Sequence, residues 1–249
     1  PVLAHEANRR PGKAVRLIAR FAHSVHLPAG VRLSGVAPER QHDSGYPVRA
    51  EMRPLAKELA RRTLGFPPTG RLLLVTGGSQ GAASLNRWVE GQLGEFAERG
   101  VHALCLTGPG GRDERLERPG SVVHFLPFCH QMAAAYSAAD LAVTRAGAGT
   151  LAELATCRTA AILVPFPHAA DDHQTANALQ AAESGAAILL PERELGRLGE
   201  VAFGCLADNA ALAAMRDALA LADAANHWEE LARETVALAQ AHSGRVAPA

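Results

Sequence analysis

From residue 71 onward, short unbroken apolar runs alternate with longer stretches in which apolar residues recur at helical spacing. An unbroken apolar run fits a strand buried on both faces, and strand–helix alternation is typical of a parallel sheet covered by helices on both sides. The sequence therefore predicts an α/β fold with a doubly wound, Rossmann-like parallel sheet. In such a sheet, ligands bind at the carboxyl ends of the strands. The predicted strands are residues 72–75, 101–106, 122–125, 141–144, 161–164 and 186–190.

The residues on either side of this block predict more than one unit. The chain opens at Pro1 in an apolar strand, residues 1–4, and we expect it to be part of a larger protein. Residues 1–48 are too few for a doubly wound domain, so we interpret them as the end of another domain with its linker. Residues 49–225 then form the one complete domain, and residues 226–249 form a C-terminal crossover helix and tail. Helices are predicted over residues 50–62, 201–223 and 226–240, with a loop at 64–70.

Composition narrows the function classes. The chain of 249 residues has 25 basic and 25 acidic residues, so its charge does not indicate nucleic-acid binding. No apolar run reaches the ~20 residues needed to cross a bilayer. A local basic cluster predicts either a solvated helix face, which we favour, or contact with an anionic surface. It comprises Arg9, Arg10, Lys13, Arg16 and Arg20.

Four cysteines are widely spaced and form no CxxC pair, a pattern typical of reduced, buried thiols in a cytosolic protein. They are Cys105, Cys129, Cys157 and Cys205.

The first predicted strand is followed by the glycine-rich run GGSQGA, Gly77–Ala82. Glycine lacks the Cβ that would keep an anion away from the backbone, and a helix N-terminus adds partial positive charge. Bare amides of this loop therefore predict a phosphate site, with a hydroxyl from Ser79. The alternative is a tight turn without a ligand.

A second glycine-rich run, RAGAGTLAE, follows the fourth predicted strand. It predicts a helix beginning near Thr150, and Glu153 then has two interpretations that do not exclude each other. In one, Thr150 and Glu153 form a capping box. In the other, the Glu153 carboxylate accepts hydrogen bonds from a ribose diol.

The same run also fits a dinucleotide fingerprint through Gly147, Gly149 and Ala152, with Asp171 and Asp172 at about the expected distance of ~20 residues. It stands on the wrong strand for that motif and leaves the Gly77–Ala82 run unexplained, so we do not favour NAD binding.

A polar loop follows the fifth predicted strand. One interpretation is a metal site, but no matching set of ligands occurs elsewhere in the chain. We favour sugar recognition, since the amide of Gln174 offers both a donor and an acceptor to neighbouring hydroxyls. The loop carries His168, Asp171, Asp172, His173, Gln174 and Asn177.

Taken together, these motifs resemble those of the MurG family, the N-acetylglucosamine transferases that convert lipid I to lipid II in peptidoglycan synthesis. The resemblance implies a two-domain GT-B fold, of which this chain would hold the second, donor-binding domain and the end of the first. The motifs that carry it are PVLAHEAN (Pro1–Asn8), GYPVR (Gly45–Arg49), GGSQGA, MAAAYSAAD (Met132–Asp140), RAGAGTLAE (Arg145–Glu153) and DHQTANA (Asp172–Ala178).

The resemblance also implies roles for particular residues. Arg49 and Ser79 would contact the diphosphate of UDP-N-acetylglucosamine, while Glu153 would bind the ribose. Gln174 would contact the sugar hydroxyls, and Asn8 would lie near the sugar. Transfer would be inverting and would need neither cofactor nor metal. The supporting backbone would come from Gly77, Gly78, Gln80, Gly81, Gly147, Gly149 and Thr150.

The resemblance implies an undecaprenyl-linked muramyl-peptide acceptor and a peripheral position on the cytoplasmic face of the bacterial inner membrane. The membrane contact and the general base would belong to the domain expected before Pro1, so we expect this chain alone to be inactive. Ala7 stands where the family usually has Gln. The alternatives are a UDP-sugar-binding subunit that needs a separate acceptor-domain chain, or another sugar-nucleotide enzyme of the same fold, such as an epimerase or a different lipid glycosyltransferase.

Overall fold

A computed structural model describes residues 1–78 and 81–243, which form two sheets. The first sheet is parallel and contains β1 (Leu3–His5), β2 (Ser24–Leu27) and β3 (Gln41–Asp43) in that order. Helix α1 (Lys13–Ile18) connects β1 to β2. The predicted opening strand is therefore present, slightly later in the chain than expected. The division into domains at residues 48 and 225 stays a prediction.

The second sheet has the order β10-β9-β8-β4-β5-β7-β6 over the part of the chain that the structure describes. Every neighbouring pair is parallel except β6 with β7, so the predicted parallel α/β architecture is confirmed. The strands are β4 (Arg71–Thr76), β5 (Val101–Leu106), β6 (Glu114–Arg118), β7 (Ser121–Leu126), β8 (Leu141–Thr144), β9 (Ala161–Leu163) and β10 (Ala187–Leu189).

Helices cover both faces of this sheet, and the strands alternate their side chains between two apolar clusters. Leu72 and Leu74 of β4 face one cluster, and Leu73 and Val75 face the other; all four are fully buried. The remaining helices are α2 (Lys57–Thr63), α3 (Ala83–Gly91), α4 (Leu93–Arg99), α5 (Met132–Ala138), α6 (Ala148–Cys157), α7 (His173–Glu183), α8 (Leu198–Ala207), α9 (Asn209–Ala224) and α10 (Trp228–Ser243).

Three parts of the predicted secondary structure were wrong. Helix α2 begins at Lys57 instead of residue 50, because Pro54 disfavours helical backbone at the residue before it. The helix predicted over residues 201–223 is two helices, since Asp208 leaves the helical conformation and caps α9 by accepting from the amides of Ala210 and Ala211. Strand β6 was not predicted, as its sequence ERLER is mostly charged.

All four cysteines are buried and unpaired, as predicted. Burial raises the pKa of the Cys105 and Cys157 thiols to about 12. In the described part of the chain, no single helix has the length and apolarity to cross a bilayer, while one pair bent by 90°, Glu192–Ala207 with Asn209–Ala241, reaches that limit by length and composition alone.

The strand order creates a crevice between β4 and β8. From β4 the chain continues to β5 on one side, whereas from β8 it continues through β9 to β10 on the other. At such a point, the connections that leave the two strands diverge and open a space at their carboxyl ends. The two glycine-rich runs of the sequence follow β4 and β8 directly, so the fold brings them together there.

Candidate functional site

Two helix N-termini face this crevice. Helix α3 has Ala82 as its N-cap and α6 has Gly147, and neither has a side-chain cap. The first amides of a helix have no acceptor within the helix, so both ends present N–H donors and partial positive charge. They border a cavity of about 640 Å³, which we call the glycine-loop cavity. Its lining includes Gly77, Gly78, Gly81, Ser84, Arg145, Gly147, Thr150, Phe166, Gln174 and Glu192.

The glycines after β4 are required by the local backbone. Gly78 and Gly81 have φ angles of 77° and 72°, which side-chain-bearing residues rarely adopt. A Cβ on Gly77 would lie 2.1 Å from the carbonyl carbon of Gly81, and one on Gly81 would lie 2.4 Å from the carbonyl oxygen of Thr107. Gly77 and Gly81 are therefore closely packed by neighbouring backbone, and together with Gly78 they border the cavity without side chains.

The prediction that the amides of this loop are bare was wrong at two positions. The Gly78 N–H donates to Oγ1 of Thr76 at 3.2 Å, and the Gly81 N–H donates to the Gly78 carbonyl at 3.0 Å. The amides of Ala83 and Ser84, in the first turn of α3, have no acceptor within the helix. Two predicted site residues, Ser79 and Gln80, lie outside the described residues.

The capping-box interpretation of Glu153 was wrong. Helix α6 begins at Ala148 with Gly147 as its N-cap, so Thr150 is already inside the first turn. Thr150 instead contributes to the lining of the glycine-loop cavity, as does Gly147, while a Cβ on Gly149 would lie 3.3 Å from the ring of Tyr46.

Glu153 lies at the edge of a second cavity of about 360 Å³, which we call the Glu153 cavity. Its Oε2 accepts from the hydroxyl of Tyr136 at 3.1 Å, and its Oε1 lies 3.6 Å from the guanidinium of Arg49. Burial, with the Glu153 charge in addition, raises the pKa of Tyr136 well above its ordinary value, so this hydroxyl remains a donor. The lining also includes the apolar residues Leu106, Pro127, Phe128 and Met132, which we call the apolar wall.

Arg49 lines the Glu153 cavity, and its predicted contact with a diphosphate stays a prediction. Its side chain is 55% exposed and lies beside Glu153 and Glu51, whereas the α3 N-terminus borders the other cavity. The two cavities share Gly78 and Thr150, so they form one continuous surface across the end of the sheet.

Gln174, on the first turn of α7, has a fixed side chain. Its Oε1 accepts from the amides of Ala146 at 3.2 Å and Phe166 at 2.9 Å. Both bonds engage the side-chain oxygen. The Nε2 group of Gln174 is therefore the part of the side chain that could donate to a ligand in the glycine-loop cavity.

Asn8 belongs to a network that connects the first sheet to α7. Its side chain donates to Glu6 at 2.9 Å and accepts from Nδ2 of Asn177 at 3.0 Å. Asn177 is 2% exposed, and it also donates to the carbonyl of Ala146, the residue whose amide holds Gln174. Asn8 therefore lies behind the site and contacts it through Asn177.

The polar loop before α7 does not gather its acids into one site. Asp171 and Asp172 have left-handed backbone, and both lie beside Arg10 at the surface. Within residues 1–78 and 81–243, no group of three or more His, Cys, Asp or Glu side chains is arranged to hold a metal ion.

Arg145 is the main residue that sequence reasoning missed. It follows β8 directly, is 8% exposed, and lines the glycine-loop cavity. Its guanidinium donates to the carbonyls of Val164 and Pro165, to Oγ of Ser84, and to the carboxylate of Glu192. The sequence indicated that Arg145 could be a site residue only by its position, directly after a buried strand and before a glycine-rich loop.

Comparison with known proteins agrees with this fold. The structure of CalG4, the calicheamicin glycosyltransferase, aligns with a TM-score of 0.61 at 18% identity, over 91% of this chain and 55% of CalG4. MurG of Acinetobacter baumannii aligns with a TM-score of 0.67 at 28% identity, over 91% of this chain and 63% of that protein. The fold with its switch-point site is that of the GT-B glycosyltransferases.

Residues 72–231 match the glycosyltransferase family 28 C-terminal domain. A relative from Opitutus terrae, named UDP-N-acetylglucosamine--N-acetylmuramyl-(pentapeptide) pyrophosphoryl-undecaprenol N-acetylglucosamine transferase, is 41% identical over 254 residues, which cover all of this chain and 67% of the relative. The chain belongs to the MurG family. It spans about two thirds or less of the length of each of these proteins.

Proposed function

We propose that this chain is the donor-binding part of an inverting glycosyltransferase. The enzyme would transfer N-acetylglucosamine from UDP-N-acetylglucosamine to the muramyl sugar of undecaprenyl-linked lipid I, forming lipid II. One observation carries the proposal: two uncapped helix N-termini, Glu153 and Gln174 border one continuous surface at the switch point of the sheet. The membership of the family supports the choice of donor and acceptor.

The site offers a separate environment for each part of the donor. The apolar wall of the Glu153 cavity suits the uracil ring, and the Glu153 carboxylate suits the ribose hydroxyls. The helix N-termini suit the diphosphate, with Ser79 and Arg49 as its proposed side-chain ligands. Gln174 would donate to the sugar hydroxyls. Asn8 would support this end of the site through its bond to Asn177.

The chemistry depends on charge that develops on the leaving UDP. As the muramyl hydroxyl attacks the anomeric carbon and gives its proton to a general base of the acceptor-side domain, the bond to the diphosphate breaks and negative charge accumulates on the departing oxygens. Prearranged N–H donors stabilise this charge more in the transition state than in the bound donor. Arg49 is half exposed and would add a cation to these donors.

We also propose that the protein acts peripherally on the cytoplasmic face of the inner membrane.

Calorimetric binding of uridine, UDP and UDP-N-acetylglucosamine to this chain tests the proposal. We expect affinity to rise along that series, because each added group reaches a further part of the site. Gln174→Ala should lower affinity for UDP-N-acetylglucosamine by roughly tenfold and leave UDP unchanged, as one polar contact to the sugar is lost.

Gln180→Ala, on the outer part of the same helix α7, is the matched control and should bind all three ligands like the wild type. Equal affinity of the wild type for UDP and UDP-N-acetylglucosamine would contradict the assignment of Gln174. Absence of UDP binding at millimolar concentration would contradict the proposed function.

A further inference from the structure

The guanidinium of Arg145 lies where four loops at the carboxyl ends of strands meet. It comes from the loop after β8 and bonds to Ser84 at the start of α3, to two carbonyls after β9, and to Glu192 after β10. An arginine that is only 8% exposed needs nearby partners for its charge. This one has them while still lining a cavity that is large enough for a ligand.

Glu192 is the ionic partner of this cation. Glu192 is the first residue of a short 3₁₀ turn, Glu192–Arg197, and its side chain is 23% exposed. Burial alone would raise the pKa of Glu192, but hydrogen bonds from Arg145 and Ser84 more than offset this and hold the pKa below its ordinary value. The carboxylate is therefore ionised at neutral pH and occupies the anion position beside Arg145.

Ser84 connects this pair to the glycine loop. Its hydroxyl accepts from Nη2 of Arg145 at 3.2 Å, and its amide belongs to the first turn of α3. The Arg145 cation and the α3 N-terminus thus border the same cavity from adjacent positions. Both attract an anion, and the Glu192 carboxylate repels one.

We infer that the guanidinium of Arg145 binds the diphosphate of the donor. The Glu192 carboxylate competes with the diphosphate for this guanidinium, and it holds Arg145 in place until the diphosphate binds. The inference rests on the proposed function. A diphosphate that enters the cavity must share Arg145 with a like-charged carboxylate or displace it. Either event costs binding energy, and removal of the Glu192 charge recovers that energy.

The test compares uridine, UDP and inorganic pyrophosphate on the wild-type chain and on Glu192→Gln, by calorimetry at low and moderate salt. Gln keeps the size and the hydrogen-bond acceptor of Glu but removes its charge. We expect UDP and pyrophosphate to bind roughly three- to tenfold more tightly to Glu192→Gln, with uridine unchanged. The gain should shrink as salt screens the charges.

Glu194→Gln is the matched control. Glu194 is on the same turn, but its carboxylate pairs with Arg193 and Arg197 at the surface. If Glu194→Gln tightens UDP binding as much as Glu192→Gln does, the effect is one of net charge and the inference is wrong. It is also wrong if Glu192→Gln weakens UDP binding, because the carboxylate would then support the site.

Arg145→Lys tests the cation itself. Lysine keeps the charge but cannot reproduce the planar, forked set of donors, so we expect UDP affinity to fall at least fivefold while uridine affinity is kept. An equal loss for uridine and UDP would assign Arg145 a structural role and overturn the inference. If the wild type binds uridine and UDP, these variants test the inference alone. If the wild type binds neither ligand, the proposed function is wrong, whatever the variants do.

Discussion

Glu153 combines two kinds of contact at a single residue, a hydrogen bond from the neutral hydroxyl of Tyr136 and a long ion pair to Arg49. Glu153→Gln should keep an acceptor for Tyr136, so we expect the free energy of unfolding to fall by less than about 1 kcal/mol. Uridine binding should weaken by about 1.5–3 kcal/mol, since hydrogen bonds to a charged acceptor are lost. Denaturant unfolding and calorimetry measure the two effects separately.

The ligand 2′,3′-dideoxyuridine, which lacks both ribose hydroxyls, is the control for this variant. Wild type and Glu153→Gln should bind it equally, because the carboxylate then has no hydroxyl to accept from. A Glu153→Gln chain that loses as much affinity for dideoxyuridine as for uridine would show that Glu153 does not bind the ribose.

The sequence could place Glu153 and Gln174 near the crevice because each stands in an ordered motif that follows a strand. Their roles in binding stay predictions. Arg145 stands in such a motif too, but its importance depends on Glu192, which is 47 residues away and reaches it only through the fold. The capping box failed for a related reason. Thr150 and Glu153 have the right spacing, but the helix begins two residues earlier, and nothing local in the sequence fixes that start.

At the level of elements, one buried carboxylate joins α2 to the central sheet. Asp140, 1% exposed, precedes β8 and accepts from the side chains of Lys57 and Arg61 of α2 and from Arg71 and the Leu72 amide of β4. Burial alone would raise the pKa of Asp140, but these donors, Lys57 foremost, lower it below its ordinary value of 3.8. The ionised form is therefore favoured by folding.

We expect Asp140→Asn to lower the free energy of unfolding by about 3 kcal/mol at pH 7, since a buried charge network loses its shared anion. A carboxylate whose pKa is lower in the folded state contributes stability above its unfolded pKa, and this stability is lost as the pH falls through the folded pKa. The difference between wild type and variant should thus be constant from pH 7 to about 5 and shrink below about 4. Urea unfolding across this range measures it.

Asp113→Asn is the control for that series, as Asp113 is 69% exposed and its ion pair with His124 is at the surface. It should change stability by less than about 0.5 kcal/mol at any of these pH values. A difference for Asp140→Asn that does not change with pH would mean that packing, and not charge, accounts for its loss.

Elements with continuous apolar sequence were predicted well, because double-sided burial leaves an unambiguous pattern. The failures lie where the pattern depends on tertiary partners. Strand β6 has four charged residues out of five and is formed through its antiparallel pairing with β7 at the edge of the sheet. The strands β2 and β3 of the first sheet are short and interrupted by polar residues, among them His26 and His42, which pair directly across the sheet.

At the scale of the whole molecule, polar contacts at several separate places join the two sheets and the helices around them. Asn8 bonds to Asn177, the backbone of Tyr46 bonds to the side chain of Asn226, and His26 of β2 bonds to Glu234 of α10. The bond between His26 and Glu234 connects α10, the last described helix, to the first sheet. The sequence predicted a crossover helix at residues 226–240, but could not show which residue of that helix would meet the first sheet.

The contact of Glu234 with His26 predicts how α10 is held. His26 is 2% exposed, and its Nε2 lies 2.7 Å from the Glu234 carboxylate, so this buried pair connects α10 to β2. Glu234→Ala should therefore accelerate amide hydrogen exchange in α10 and leave exchange in β4, β5 and β8 unchanged, because stability is distributed locally. Glu229→Ala, an exposed carboxylate on the same helix, is the matched variant and should exchange like the wild type. Unchanged exchange in α10 of Glu234→Ala would contradict the prediction and would mean that apolar packing alone holds the helix. Faster exchange in the central strands as well would also contradict it, because α10 would then unfold together with the central sheet.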